Sequence, residues 1–202
     1  MFAELLAHDG VREITTLRSS FGFMAFHGGS LEKGTDDIAS AAAEASGASL
    51  YAVVQPPDLR WHIPSSAVDP AASPALTAFL GHVDTVVAVH GYGRRGLFTT
   101  ILLGGRNREL AALARDHLAP GLPDYTVVAD LDDVPTELRG LHPANPVNLP
   151  RESGVQVELP PRVRGLGPHW EGTPARRNGQ RQPHTVALID ALASTALAWA
   201  DR

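Results

Sequence analysis

The sequence predicts an α/β sandwich in which a mostly parallel sheet is covered by helices. Short apolar runs rich in β-branched residues alternate with helical segments of about a dozen residues, an order typical of parallel sheets. Several of these runs stop at glycine or proline, as strands do. The chain has 202 residues, of which 44% are hydrophobic, enough to bury one core. We therefore expect residues 1–202 to form a single domain.

Five elements are predicted in the first half of the chain. Gly22–His27 is an apolar run that ends before two glycines and predicts a strand. Thr35–Ser46 predicts a helix, because a threonine starts it, two aspartates lie in its first turn and a glycine follows it. Leu50–Val54 predicts a strand close to a Pro-Pro pair. Ser73–Leu80 predicts a helix with proline at its first position, and Thr85–His90 predicts a third strand.

Five more elements follow in the second half. Leu97–Leu103 predicts a strand that ends at two glycines, and Asn107–Leu118 predicts a helix with one leucine-rich stripe. Tyr125–Ala129 and Gly154–Leu159 predict the fifth and sixth strands. The closing helix is predicted at Thr185–Trp199, which is apolar along one face.

Two stretches predict less regular structure. Residues 135–148 contain three prolines and predict a helical turn followed by a loop. Residues 165–183 are rich in glycine, proline and arginine and predict an irregular segment. The second stretch could be a lid, a linker or a disordered segment, and the sequence does not distinguish these alternatives.

Charge and composition exclude several functional classes. The net charge is −5 and basic residues never run longer than two, so nucleic acid is not an expected partner. The absence of cysteine excludes disulfides, thiolate metal sites, iron–sulfur clusters and cysteine nucleophiles. No apolar run approaches the length of a membrane span, and the first residues have no signal-peptide pattern. We expect a protein of the cytoplasm, or one released by lysis, without a membrane partner; the sequence does not indicate its oligomeric state.

Two histidines and a glutamate form a candidate metal site. His27 and His90 each end an apolar strand directly before a glycine, and Glu32 follows His27 by five residues. Because ligands bind at the carboxyl ends of parallel strands, both imidazoles are expected at the same edge of the sheet. Two neutral imidazoles and one carboxylate are a catalytic zinc set. The alternative is that these are hydrogen-bonded histidines at strand ends.

Glu158 is the candidate general base. It lies near the end of an apolar strand, just before a Pro-Pro pair, where an unpaired carboxylate would be costly. Beside a metal site it could accept a proton from water and pass it on. The alternative is an ion pair with Arg162 or Arg164 at the edge of the sheet.

Short motifs follow one another over about Phe23 to Arg164: His27-Gly28-Gly29-Ser30-Leu31-Glu32, Trp61-His62-Ile63-Pro64-Ser65, Val89-His90-Gly91, Leu103-Gly104-Gly105, and Asn145-Pro146-Val147-Asn148 followed by Gly154–Leu159. This ordered set resembles the poly-γ-glutamate hydrolase family. The family consists of small zinc hydrolases of bacteriophages and bacteria that resemble minimal zinc carboxypeptidases. The four residues between His27 and Glu32, instead of two, favour it over the larger carboxypeptidases.

The resemblance implies a three-layer α/β fold, carboxypeptidase-like, with a central mixed and mostly parallel sheet. It also implies Zn²⁺ bound by His27, Glu32 and His90, and Glu158 as general base. The implied activity is hydrolysis of γ-glutamyl amide bonds in an anionic, peptide-like substrate such as poly-γ-glutamate. Two alternatives remain open: a zinc carboxypeptidase or deacylase acting on another amide, and an inactive domain that binds a ligand or partner.

Several further residues are candidates for substrate binding. Arginine clamps carboxylates with two parallel hydrogen bonds, so an arginine-lined groove would suit an anionic polymer. The candidate arginines lie in loops after strands or beside the motifs: Arg60, Arg94, Arg95, Arg106 and Arg151. His62 is a candidate substrate contact or a residue that only packs its loop. Asn148 could hydrogen-bond the substrate or hold a proline turn.

Overall fold

The computed structural model has a mixed sheet at its centre. Within residues 1–166, 176–177 and 180–202, which the structure describes, there are nine strands and five α-helices. Strands β1 to β9 are, in order, Arg12–Thr16, Phe21–Gly29, Ser49–Gln55, Thr85–Gly91, Thr100–Leu103, Thr126–Val128, Gly154–Leu159, Arg176–Arg177 and Gln180–Arg181. Helices α1 to α5 are Phe2–Leu6, Thr35–Ser46, Pro74–His82, Arg108–Gly121 and Pro183–Ala200.

The order of the strands makes β2, β4 and β7, which carry the predicted site residues, neighbours in one sheet. The central sheet runs β1-β3-β2-β4-β7-β5-β6, while β8 pairs only with β9. The β1–β3 and β5–β7 pairs are antiparallel, and the other pairs of the central sheet are parallel. The predicted mixed, mostly parallel sheet is therefore confirmed. Because β2, β4 and β7 are parallel neighbours, their carboxyl ends lie at one edge.

Helices cover both faces of the sheet, so the predicted three layers are present. Side chains alternate along each strand: Phe23 of β2 joins the core beneath α2, α4 and α5, whereas Met24 joins the core beneath α1 and α3. The small alanine-rich face of α2 allows it to lie close to the sheet. Among the helices of the described ranges, none combines the length and apolar character that a bilayer crossing requires.

Most predicted elements are present, with a few corrections. Helix α2 and strand β7 have the predicted bounds, whereas β5 begins at Thr100 rather than at Leu97. Leu97 instead closes a turn, accepting a hydrogen bond from the Thr100 N–H at 3.2 Å, and Phe98 is exposed. The sequence did not predict α1 or the edge strand β1. Part of the irregular segment predicted at 165–183 lies outside the described residues, and α5 already begins at Pro183.

Candidate active site

A β-bulge places His27 on the same face of the sheet as His90. From Ala25 to Gly28, strand β2 advances three residues while the neighbouring strand β3 advances two. The extra residue interrupts the regular alternation of side chains, as bulges beside active sites do. The ring centroids of His27 and His90 are 5.0 Å apart. The structure thus brings together the two imidazoles that the sequence placed at strand ends.

Glu32 lies between the two imidazoles. Its backbone N–H donates to the His27 carbonyl at 3.0 Å and closes the loop after β2. Its Oε1 is 2.8 Å from His27 Nδ1, and its Oε2 is 3.4 Å from His90 Nδ1. Oε2 also accepts a hydrogen bond from the Gly91 backbone N–H at 2.9 Å. Burial raises the pKa of Glu32, but His90 and His27 together outweigh it and hold that pKa well below its usual range.

The hydrogen bonds of His27 leave its Nδ1 facing the carboxylate of Glu32. Nε2 is 2.8 Å from the Ile63 carbonyl oxygen, which can only accept, so Nε2 carries the proton. In the neutral ring, Nδ1 is then a lone pair facing a carboxylate oxygen at 2.8 Å, and two acceptors need a proton or metal ion between them. His90 Nε2 is buried without a hydrogen-bond partner among the described residues. Two imidazoles and one carboxylate are ligands that zinc accepts.

His62 lies at the open side of the cluster. Its ring centroid is 5.0 Å from that of His27, and the possible ligand atoms of His27, Glu32 and His62 all lie within 4.8 Å of one another. The Gln55 amide fixes the preceding residue, because it accepts from the Trp61 N–H at 2.8 Å and donates to the Trp61 carbonyl at 2.9 Å. Partial burial, followed by the charge of His27, lowers the pKa of His62. His62 therefore adds a third imidazole whose possible ligand atom lies close to those of His27 and Glu32.

Glu158 lies beside His90, because β4 and β7 pair with these two residues in register. Its side chain is buried, and Oε1 accepts a hydrogen bond from Gln156 Nε2 at 2.8 Å. Burial raises the pKa of Glu158; the charge of His90 opposes this effect and the charge of Glu32 adds to it. In the described part of the chain, no arginine lies within ion-pair distance of this carboxylate. The ion pair that the sequence left open as its alternative role is therefore absent from these residues.

These side chains open into a cavity of about 620 Å³, a size typical of ligand sites. Histidine and glutamate are the titratable residues that dominate its lining: His27, His62, His90, His142, Glu32, Glu137 and Glu158. Of the residues that the structure describes, no arginine or lysine lines it. The cavity therefore offers imidazole donors, rather than a guanidinium-lined groove, to a bound molecule.

The arginines predicted to bind substrate lie outside this cavity. Arg94 pairs with Glu137 at the rim, and Arg106 donates to a loop carbonyl at 3.2 Å. Arg151 pairs with Asp84 at 3.0 Å, near the amino-terminal ends of β4 and β7 and away from the cluster. The remaining candidates, Arg60 and Arg95, do not line the cavity either. The sequence placed them correctly in loops but could not show which way those loops turn.

Asn148 holds a loop and does not line the cavity. Its Nδ2 donates to the carbonyls of Gly140 and His142 at 2.7 and 3.0 Å, and its Oδ1 accepts from the Arg106 N–H at 3.1 Å. His142, to which the sequence assigned no role, does line the cavity. Its Nδ1 accepts from the Ala144 N–H at 3.1 Å, so the proton of the neutral ring is on Nε2.

A buried guanidinium, that of Arg164, joins the loops behind the cluster. It donates to the carbonyls of Lys33, Leu159 and Tyr92 at 2.7, 3.2 and 3.4 Å. Each of these carbonyls belongs to a residue one or two positions after a member of the cluster: Glu32, Glu158 and His90. Gly91 makes room for this group, because a Cβ there would lie 2.5 Å from the Arg164 Cζ. No sequence signal singled out Arg164 for this position.

We expect Arg164→Met to lower the free energy of unfolding by about 2–4 kcal/mol, because buried carbonyls lose their donors. Arg162 is the matched control, since it lies exposed in the same turn two residues earlier. Arg162→Met should change the unfolding free energy by less than about 0.5 kcal/mol. Chemical denaturation of the metal-free protein measures both variants, and equal losses would contradict the assigned role of Arg164.

The chain is similar in sequence to one known family and in structure to several solved proteins. The sequence profile of a family described as poly-gamma-glutamate hydrolase matches residues 2–171. The structure of a bacteriophage poly-gamma-glutamate hydrolase aligns with a TM-score of 0.79 and 20% identity, over 95% of this chain and 90% of that one. The zinc-free apo form of YndL aligns with a TM-score of 0.75 and 21% identity, over 92% and 88%.

A more distant likeness is to N-acetylmuramoyl-L-alanine amidase from Clostridium difficile 630, with a TM-score of 0.50 and 14% identity over 91% of this chain and 98% of that one. A search of curated protein sequences found no significant match. At these identities, the structural likenesses establish the fold that the chain shares with these proteins.

Proposed function

Because the chain belongs to the poly-gamma-glutamate hydrolase family, we propose that it is a zinc-dependent amidohydrolase that cleaves γ-glutamyl amide bonds. Family membership indicates a hydrolase. The observation that carries the finer proposal is the meeting of His27, Glu32 and His90 in one cavity with Glu158 beside them. These groups are the ones that metal-assisted hydrolysis of an amide requires.

We assign His27, Glu32 and His90 as the zinc ligands. His90 is held on a buried strand with Nδ1 near Glu32, whereas His62 lies on an exposed loop. When bound, zinc supplies a Lewis acid for the amide carbonyl and lowers the pKa of water to about 7. The Ile63 carbonyl fixes the His27 tautomer that leaves Nδ1 available as a ligand. His62 is then left to face the substrate.

Glu158 is the proposed general base. Its carboxylate accepts the proton of the attacking water and then donates it to the leaving nitrogen of the amide. A raised pKa suits this residue, because the same group must first take and then release a proton near neutral pH. The buried position of Glu158 also strengthens its electrostatic influence on charge that develops in the cavity.

Imidazoles are the proposed contacts for the anionic substrate. His142 lines the cavity with an Nε2–H that is available to donate, because Nδ1 already accepts from the Ala144 N–H. His62 lines the same cavity from the segment between β3 and α3. An N–H donor of this kind can bind a carboxylate or an amide carbonyl of a γ-glutamyl chain. We therefore place substrate recognition on histidines, with Arg94 at the rim.

The proposal is tested on poly-γ-glutamate of defined length with the zinc-loaded protein. We expect the mean chain length to fall rapidly through internal cuts, with little free glutamate released. A chelator should stop the reaction and added zinc should restore it, and α-linked polyglutamate is the matched control substrate. An intact γ-linked polymer after incubation with zinc would contradict the proposal and favour a carboxypeptidase or deacylase acting on another amide.

A further inference from the structure

Two buried amides form a chain of hydrogen bonds that ends on Glu158. Asn145 Nδ2 donates to Gln156 Oε1 at 2.8 Å, and Gln156 Nε2 donates to Glu158 Oε1 at 2.8 Å. The exposed fractions of the three side chains are 2%, 5% and 4%. Gln156 and Glu158 are two residues apart on β7, so both side chains project from one face of the sheet.

The backbone fixes the direction of this chain of donors. Asn145 Oδ1 accepts from the Val147 N–H at 3.3 Å, and a backbone N–H can only donate. The Asn145 amide must therefore turn its NH₂ group toward Gln156. Gln156 in turn must accept with Oε1 and donate with Nε2, so that Glu158 always receives an N–H.

Gly140 leaves no space for the Gln156 amide to move aside. Its φ is +64°, and a Cβ at this position would lie 2.6 Å from Gln156 Oε1. The Gly140 carbonyl also accepts from Asn148 Nδ2 at 2.7 Å, which holds the loop against the amide. The loop from Gly140 to Asn148 thus acts as a rigid support for Gln156.

We propose that Asn145 and Gln156 are positioning residues that aim the Glu158 carboxylate into the cavity. The hydrogen bond to Oε1 holds one oxygen, while Oε2 has no donor among the residues that the structure describes. Glu158 lines the cavity, so its second oxygen is the one left for the proton of the attacking water. This inference rests on the proposed role of Glu158 as general base.

The sharpest test is Asn145→Asp, which changes a residue that does not touch Glu158. A carboxylate at 145 can only accept, so the Gln156 amide must turn round and present Oε1 to Glu158. Two acceptors then face each other, and the carboxylate is pushed out of place. We expect kcat on a γ-glutamyl oligomer to fall by about 10- to 100-fold, with KM changed by less than about threefold and zinc content unchanged.

Gln156→Leu removes the amide and completes a double-mutant cycle. We expect Gln156→Leu alone to match Asn145→Asp, and the double variant to be no slower than either, because one chain is broken in each case. Asn145→Ser is the conservative variant: its hydroxyl keeps a rotatable donor, and we expect it to retain more kcat than Asn145→Asp.

Three outcomes would overturn the inference: kcat unchanged in Asn145→Asp, losses that multiply in the double variant, or a raised KM with kcat intact, which would mean direct substrate contact. A wild-type protein without turnover would overturn the proposed function instead. In that case, the free energies of unfolding of the single and double variants test whether the two amides are coupled. The losses caused by Asn145→Asp and Gln156→Leu must then be non-additive. Additive unfolding losses would end the inference independently of activity.

Discussion

Glu158→Gln is expected to lower kcat for γ-glutamyl cleavage by about 10²- to 10⁴-fold while zinc content stays unchanged. The glutamine side chain is nearly the same size as glutamate, so the packing on β7 is preserved. It has no basic oxygen that can take a proton from water, and the acid–base function is therefore lost. Initial rates on a γ-glutamyl oligomer, together with metal analysis of the purified variant, measure the two effects.

Glu152→Gln is the matched control for that experiment. Glu152 lies just before β7 and is partly exposed beside Arg151, so the same chemical change there leaves the cavity untouched. We expect its kcat to stay within about twofold of the wild type. A Glu158→Gln variant with zinc and full activity would show that another group moves the proton. An equal loss in both variants would show that the effect comes from the strand and not from the carboxylate.

Three residues of the candidate site, His27, His90 and Glu158, could be singled out from the sequence because they lie at or near strand ends. His27 and His90 each follow an apolar run and precede a glycine, and parallel strands bring such ends to one edge of the sheet. Glu158 was identifiable as the one carboxylate in a largely apolar strand, where burial without a partner would be costly. In each case a local pattern and one rule of α/β topology were enough.

The orientation of the side chains at this edge was not predictable. Strict alternation along β2 would not reveal that a bulge turns His27 toward His90, because a bulge has no clear sequence pattern. The hydrogen bond from Asn145 to Gln156 joins a loop to a strand, and each residue alone is an ordinary polar side chain. Pairings of this kind depend on tertiary structure, which residue spacing does not encode.

Two fold elements escaped prediction for a related physical reason. Strand β1 carries charged and polar residues and lies at an edge, where only one side of the strand is paired. Its stability comes from antiparallel pairing with β3, which no local pattern shows. Conversely, Leu97 and Phe98 have strand-like composition but lie in a turn before β5. Composition thus identified the apolar strands, but it missed the polar strand β1 and placed the start of β5 three residues too early.

His90→Ala is expected to weaken zinc binding by more than about 100-fold, whereas His62→Ala should weaken it by less than about tenfold. Residues that only orient a ligand typically cost 10- to 100-fold in affinity when changed, so the loss of a ligand itself must exceed that range. Competition with a chromophoric chelator measures both affinities. Denaturation of the two metal-free variants shows separately how much folding stability the lost imidazole contributed.

The two variants decide between two ligand sets that the geometry brings close together. His90 is buried on β4, with its Nδ1 3.4 Å from Glu32 Oε2. His62 lies on an exposed loop, and its possible ligand atom is within 4.8 Å of those of His27 and Glu32. A ligand held by a strand keeps its position before the metal arrives, so less ordering is needed when it binds. If His62→Ala abolishes zinc binding and His90→Ala does not, the loop imidazole is the ligand. Glu158 would then lie beside an imidazole that binds no metal, and its assignment as the base would fall with it.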